Sequence, residues 1–165
     1  SMTQKRKLRR GYALYRQLVG LPLGKWLFTR AICFQAPYFG SIRPLFRHLE
    51  PGRAVVFMRK RRRVQNHIGT VHALAMGNLC ELAAGLVMES SLSADTRWIP
   101  RGMNIEYLAK AHTDVEATAV VPVQAWPEAT DVPVQVSVKN RLGEEVVRAE
   151  IRMYVSPQPR GDAPV

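Results

Sequence analysis

The stretch Gly69-Thr-Val-His-Ala-Leu-Ala-Met-Gly-Asn-Leu-Cys-Glu-Leu-Ala-Ala-Gly-Leu-Val-Met-Glu89 decides the fold. Leu74, Leu79, Leu82, Leu86 and Val87 keep a helical period, while Ala73, Ala75, Gly77, Ala83, Ala84 and Gly85 are small. A helix that is apolar nearly all round has to be buried. Its small residues let it lie close against a sheet. Between Val64 and Met88 there is no lysine, arginine or aspartate, and Glu81 is the only charged residue. This is therefore a central helix, and the rest of the chain has to wrap it.

Working outward, the period becomes two after residue 95. Met103, Ile105, Tyr107 and Ala109 alternate with Asn104, Glu106, Leu108 and Lys110. Val115 to Val123, Val132 to Val138 and Val147 to Val155 alternate in the same way. The separators Ala111–Asp114, Pro127–Asp131 and Asn140–Gly143 are short enough for hairpins. Four strands in a meander are predicted behind the helix, with at least one strand before it. That strand is placed at residues 53–63, after the Pro51-Gly52 turn signal and ending in a basic run. Residues 12–35 read as two helices broken at Gly20–Gly24, followed by an irregular stretch holding Pro37, Gly40 and Pro44. Ser156–Val165, with three prolines, reads as a loose tail.

The chain has 165 residues, of which 47% are hydrophobic and 22% charged, so one domain with a real core is expected and a disordered chain is not. The formal charge of +11 is local. Lys5, Arg6, Lys7, Arg9 and Arg10 form one patch and Arg59 to Arg63 another; without these ten, fourteen basic residues face thirteen acidic ones. The basic N-terminus beside Tyr12, Tyr15, Trp26 and Phe28 suits an anionic membrane surface. The simpler reading is a flexible arm and a helix packed on the domain. Nucleic acid is disfavoured, because charge alone speaks for it and no recognised binding motif does. No uncharged apolar run reaches the roughly 18 residues of a spanning helix. Cys33 and Cys80 show no metal-ligand spacing, so no zinc site is expected and reduced thiols in a cytoplasm fit best.

Glu81 is the candidate for chemistry. A lone carboxylate on a buried helix is costly, and desolvation favours its protonated form, as a general base near neutral pH requires. The alternatives are a solvent-facing Glu81 or a salt bridge at a dimer interface. Just upstream, Asn66 and His72 bring hydrogen-bonding side chains to the helix start, where free N–H groups stabilise developing negative charge. In the basic run, Arg61 and Arg63 are candidates for the phosphates of coenzyme A, since Arg59, Arg61 and Arg63 share one face of an alternating strand. The competing reading is a charged edge that discourages aggregation.

Asn66-x-x-Gly69-Thr70-x-His72, with Glu81 nine residues on, resembles the signature of hot-dog-fold thioesterases of the PaaI-like type. Met103 to Ala111 resembles the strand that follows the helix in that family. The order of elements matches from about residue 38 to 156. The N-terminal helices, and Ala73 where that family usually has glycine, resemble a hot-dog branch classed as domains of unknown function.

The resemblance implies an α+β hot-dog fold: an antiparallel sheet around a long helix. It would have a basic helical extension at 1–36, the domain at 37–156 and a tail at 157–165. It implies hydrolysis of an acyl-CoA or acyl-carrier thioester, with no cofactor besides the coenzyme A of the substrate. Glu81 would be base or nucleophile, and the Ala73 N–H an oxyanion donor. His72 would hold the turn and Asn66 would orient water or carbonyl, with Gly69 and Thr70 contacting substrate. It also implies a site shared between two subunits, hence a homodimer or a dimer of dimers. Some family members add a strand hydroxyl. Here the matching stretch is Trp98-Ile99-Pro100-Arg101, which favours the alternative of a non-catalytic acyl-CoA or lipid binder.

Overall fold

The computed structural model describes residues 8–124, 126 and 129–158. Helices α1 (Arg10–Leu18), α2 (Gly24–Gln35) and α3 (Pro37–Gly40) lead into strands β1 (Pro44–Glu50) and β2 (Arg53–Met58). The long helix α4 (Ala73–Ser91) follows, then β3 (Thr96–Tyr107), β4 (Val115–Val120), β5 (Thr130–Asn140) and β6 (Glu145–Pro157). The six strands form one antiparallel sheet in the order β1-β2-β4-β5-β6-β3.

Helix α4 contacts all six strands. Thirteen of its nineteen residues are buried, which is why its sequence has no polar face. Against it lie the inward halves of the alternating strands: Val115, Ala117 and Ala119 on β4, Val132 to Val138 on β5, and Val147 to Val155 on β6. Register pairs such as Ala117 with Val138 and Val136 with Ala149 put these side chains on one face. Burying a leucine such as Leu79 completely stabilises the fold by roughly 1.5–3 kcal/mol. The N-terminal helices join the same core through Tyr15, Phe28 and Phe46, whose rings pack in series with centroids 5.2 and 5.1 Å apart.

Four expectations are corrected. First, the four strands after α4 are not a meander. β4, β5 and β6 follow one another, but β3 pairs only with β6 and lies at the far edge. Second, the strand before the helix stops at Met58. Arg59 to Arg61 leave the sheet and Arg62–Val64 form a single 3-10 turn. The basic run is therefore not an alternating strand, and the shared face argued for Arg59, Arg61 and Arg63 does not exist. Third, the stretch taken as irregular holds α3 and β1. Fourth, Ser156 and Pro157 belong to β6, while residues 159–165 of the expected tail lie outside the described residues, as do Lys5, Arg6 and Lys7. Of the aromatics placed near a membrane, Tyr15 and Phe28 are buried and Trp26 is exposed.

Candidate functional site

The turn before α4 is built around Asn66. Its side-chain Oδ1 accepts from the backbone N–H of Ile68 and of Thr70, both at 3.1 Å. Its Nδ2 donates to Thr70 Oγ1 at 2.7 Å. Gly69, at φ +79°, takes the left-handed conformation that closes the turn. Thr70 is buried and Gly69 is exposed. Asn66 and Thr70 thus hold the loop, with their polar groups largely spent on it.

His72 caps the helix. Its Nδ1 accepts from the Leu74 N–H at 3.0 Å, leaving the proton of the neutral ring on Nε2. Its backbone N–H donates to Val64 O at 2.7 Å, tying the cap to the 3-10 turn. The N–H groups of Ala73 and Ala75 have no partner among the described residues. They are the helix donors left for a developing oxyanion.

Glu81 lies further along α4 from this cap. It is half-buried rather than buried, and among the described residues it has neither a hydrogen-bonding nor an ionic partner. It opens onto a cleft of about 500 Å³ lined by Ile32, Gln35, Phe39, Leu82, Trp98 and Pro100, with Arg10 and Glu89 at one end. Glu81 is eight positions beyond Ala73, which is about 12 Å along a helix axis. Within one chain the carboxylate and the oxyanion donors therefore do not meet.

A polar clamp shapes this cleft. Glu89 accepts from Arg9 Nε at 2.8 Å and from the Trp98 indole at 3.4 Å, and the Gly11 N–H points at its other oxygen at 3.4 Å. Trp98 lies over Gly85, where an added Cβ would come within 3.0 Å of the ring. The start of α1 is thereby latched to α4 and β3, and the indole becomes a fixed wall beside Glu81.

Near the helix start lies a second cleft of about 210 Å³, lined by Tyr38, Ser41, Arg63, His72, Leu74 and Asn78 among others. Asn78 is buried and donates to Tyr38 O at 3.3 Å, while its Oδ1 has no partner. Arg61 donates to Ser41 O at 2.8 Å. Burial, then the neighbouring guanidiniums of Arg43 and Arg63, push its pKa down. Three arginines thus crowd one corner, and among the described residues none of them has a carboxylate partner.

The predicted residues accordingly form two groups. Asn66, Gly69, Thr70, His72 and Ala73 come together at the helix start, with Arg61 and Arg63 nearby. Glu81 stands apart. Ile68 and Leu74 are exposed near the helix start, away from the Trp98 cleft. Three residues escaped the sequence reading: Gln35, Asn78 and Glu89. A lone asparagine in an apolar helix was a readable signal. The Arg9–Glu89 pair spans 80 positions and had none.

Among the described residues no group of three His, Cys, Asp or Glu could hold a metal ion, and no helix is long and apolar enough to cross a membrane. The crystal structure of genomics APC5556 is similar at 44% identity, covering 89% of this chain and 98% of that one, with a TM-score of 0.78. A thioesterase from Haemophilus influenzae matches at 12% identity over 76% of this chain and 87% of its own, with a TM-score of 0.67. A hypothetical thioesterase from Streptococcus pneumoniae, crystallised with coenzyme A, matches at 19% identity over 76% of this chain and 98% of its own, TM-score 0.65. At those two identities the likeness carries the fold alone, and the fold is the hot-dog arrangement that the motif led us to expect. No curated protein matches the sequence. The family model described as Domain of unknown function (DUF4442) matches residues 24–155, and the chain belongs to that family.

Proposed function

We propose that the protein hydrolyses an acyl thioester of coenzyme A or of an acyl carrier, as a homodimer. The observation that carries this reading is Glu81: a carboxylate on the central helix, half-buried, without a partner among the described residues, facing an apolar cleft. A carboxylate left free to accept a proton is suited to general-base work.

In this reading the acyl group lies in the cleft between Ile32, Phe39, Leu82 and Trp98. Glu81 takes a proton from water, and the water oxygen bonds to the thioester carbonyl carbon. The carbonyl oxygen gains the electron pair and is held by the Ala73 N–H at the start of α4. Collapse restores the carbonyl, breaks the C–S bond and releases the thiol, which takes up the proton from Glu81. Because one chain keeps the two halves about 12 Å apart, the Ala73 donor comes from a second copy. The exposed edge strand β3, with Ile99, Met103 and Tyr107 outward, gives a second copy somewhere to pair. A dimer of dimers is the larger form of the same arrangement.

His72 and Asn66 hold the donor turn. Arg61 and Arg63, joined by Arg43, suit the phosphates of coenzyme A, and the unpartnered Asn78 Oδ1 suits an amide N–H of its pantetheine arm. Among the described residues no serine or threonine lines the Glu81 cleft; Gln35 is a side chain there that can orient water. That absent hydroxyl favours the second reading, a non-catalytic acyl-CoA or lipid binder. The test is thiol release from short, long and aryl acyl-CoA esters, with Glu81→Gln beside the wild type. Turnover lost in the variant supports hydrolysis. Saturable binding without turnover in either supports the second reading.

A further inference from the structure

The outer face of the N-terminal helices has no role in the site. Leu23, Leu27, Arg30 and Phe34 follow one another at intervals of four, three and four, with Trp26 beside them. They form one stripe along α2. The opposite side of α2 carries the buried Phe28, Thr29 and Cys33. The stripe is open: Leu23 is 75% exposed and Phe34 89%. Trp26, Leu27 and the neighbouring Leu21 are exposed as well. Single exposed apolar residues are ordinary, but a continuous row of large ones marks an interaction surface.

Charge says what covers it. The first 49 residues contain no aspartate or glutamate, and they hold ten lysines and arginines. Lys25 and Arg30 lie on α2 itself, and Arg16 stands exposed on α1. The remaining 116 residues carry fourteen basic and thirteen acidic residues. A tryptophan, leucines and a phenylalanine framed by cations are what an in-plane helix presents to anionic lipid. An apolar patch meant for a second copy of this chain would set Arg16, Lys25 and Arg30 against the same three cations of that copy, at a cost that rises as salt falls. We propose that the α1–α2 face docks the protein on an anionic lipid bilayer, Leu23, Trp26, Leu27 and Phe34 entering the interface and the acid-free segment facing the headgroups.

The test is flotation of the full chain with vesicles of phosphatidylcholine alone and of phosphatidylcholine with 30% phosphatidylglycerol, a fraction set at about the anionic content that gives an appreciable surface potential. The expected result is binding to the anionic vesicles at least tenfold above the neutral ones, falling as salt is raised. Trp26→Ser with Phe34→Ser should cut that binding by tenfold or more while the melting temperature stays unchanged. Equal binding of the double variant, or no preference for anionic vesicles, would overturn the proposal. A wild type that ignores vesicles but loses an oligomer in the double variant, by light scattering, would assign the face to a second copy instead. None of these outcomes depends on thioester turnover.

Discussion

Helices α2 and α4 draw on much the same apolar residues, yet they end in different surroundings. α4 is enclosed except at the exposed Leu74 and where Glu81 meets its cleft, and its small residues, Ala83 and Ala84 among them, let strands approach it. α2 is enclosed on one side only. Phe28 reaches the core between Tyr15 and Phe46, while Trp26, Leu27 and Phe34 face outward. Glu81 is the sole charge in the middle of α4, whereas α2 carries Lys25 and Arg30 and no acid. Apolarity therefore means two things in this chain. On α4 it builds the core, and the single carboxylate is the exception that invites chemistry. On α2 half of it builds the core, and the other half awaits a partner.

The comparison is broken most severely at Glu81. Glu81→Gln keeps size and shape and removes only the capacity to accept a proton. Steady-state thiol release should fall about 10²–10⁴-fold, the usual weight of a general base. Thermal unfolding should be unchanged, because the carboxylate holds nothing among the described residues. A variant that turns over normally would make Glu81 an ordinary surface residue and leave the cleft to binding alone.

Core truncations come next. Phe28→Ala on α2 should cost about 3–5 kcal/mol, and Leu79→Ala on α4 about 2–5 kcal/mol, by denaturant unfolding. Both side chains are fully buried, so similar losses would show that the inner half of α2 is as much core as α4 is. A small loss at Phe28 alone would mean that the extension frays from the domain.

Much of this was legible beforehand. The small residues of α4 announced a buried helix, and the valines and alanines of β4, β5 and β6 announced half-buried strands. The turn from Asn66 to His72 was legible as a motif. Other features were not. A register shift between Phe46 and His48 breaks the alternation of β1, and Pro44 opens it, so its period is lost in so short a strand. The place of β3 beside β6 depends on pairing across some fifty residues, which local periodicity does not carry. The basic run looked like the end of a strand because Arg59 follows β2 without a turn residue. At the site, Glu81 and His72 could be named but not their separation in space, which follows only from the length of an unbroken helix.

The latch between the helices gives a smaller effect. Glu89→Gln keeps the contact with Trp98 but weakens the hold on Arg9, whose guanidinium is largely covered. A loss of about 1–3 kcal/mol is expected by chemical unfolding. Stability should also fall with rising pH. Burial holds the Cys80 thiol up to about 12, so the native chain keeps its proton where the unfolded chain, with a thiol near 9.0, does not. The contribution is full below pH 9 and is lost above it by about 1.4 kcal/mol per pH unit. For the same reason a thiol reagent at pH 8 should label Cys80 only after unfolding.

The smallest effect tests the comparison from its other side. Trp26→Ser or Phe34→Ser removes a large apolar side chain from α2, as Phe28→Ala does, but from the outward face. Exposed side chains lose little area on folding, so each should change the unfolding free energy by less than about 0.5 kcal/mol. The measurement has meaning only beside Phe28→Ala, since the same helix then reports two costs that differ severalfold. If Phe34→Ser instead costs more than about 2 kcal/mol and the loss depends on protein concentration, a second copy covers the stripe in solution. The outward half of α2 would then be core shared between subunits, and the contrast with α4 would be one of timing, burial on association against burial on folding.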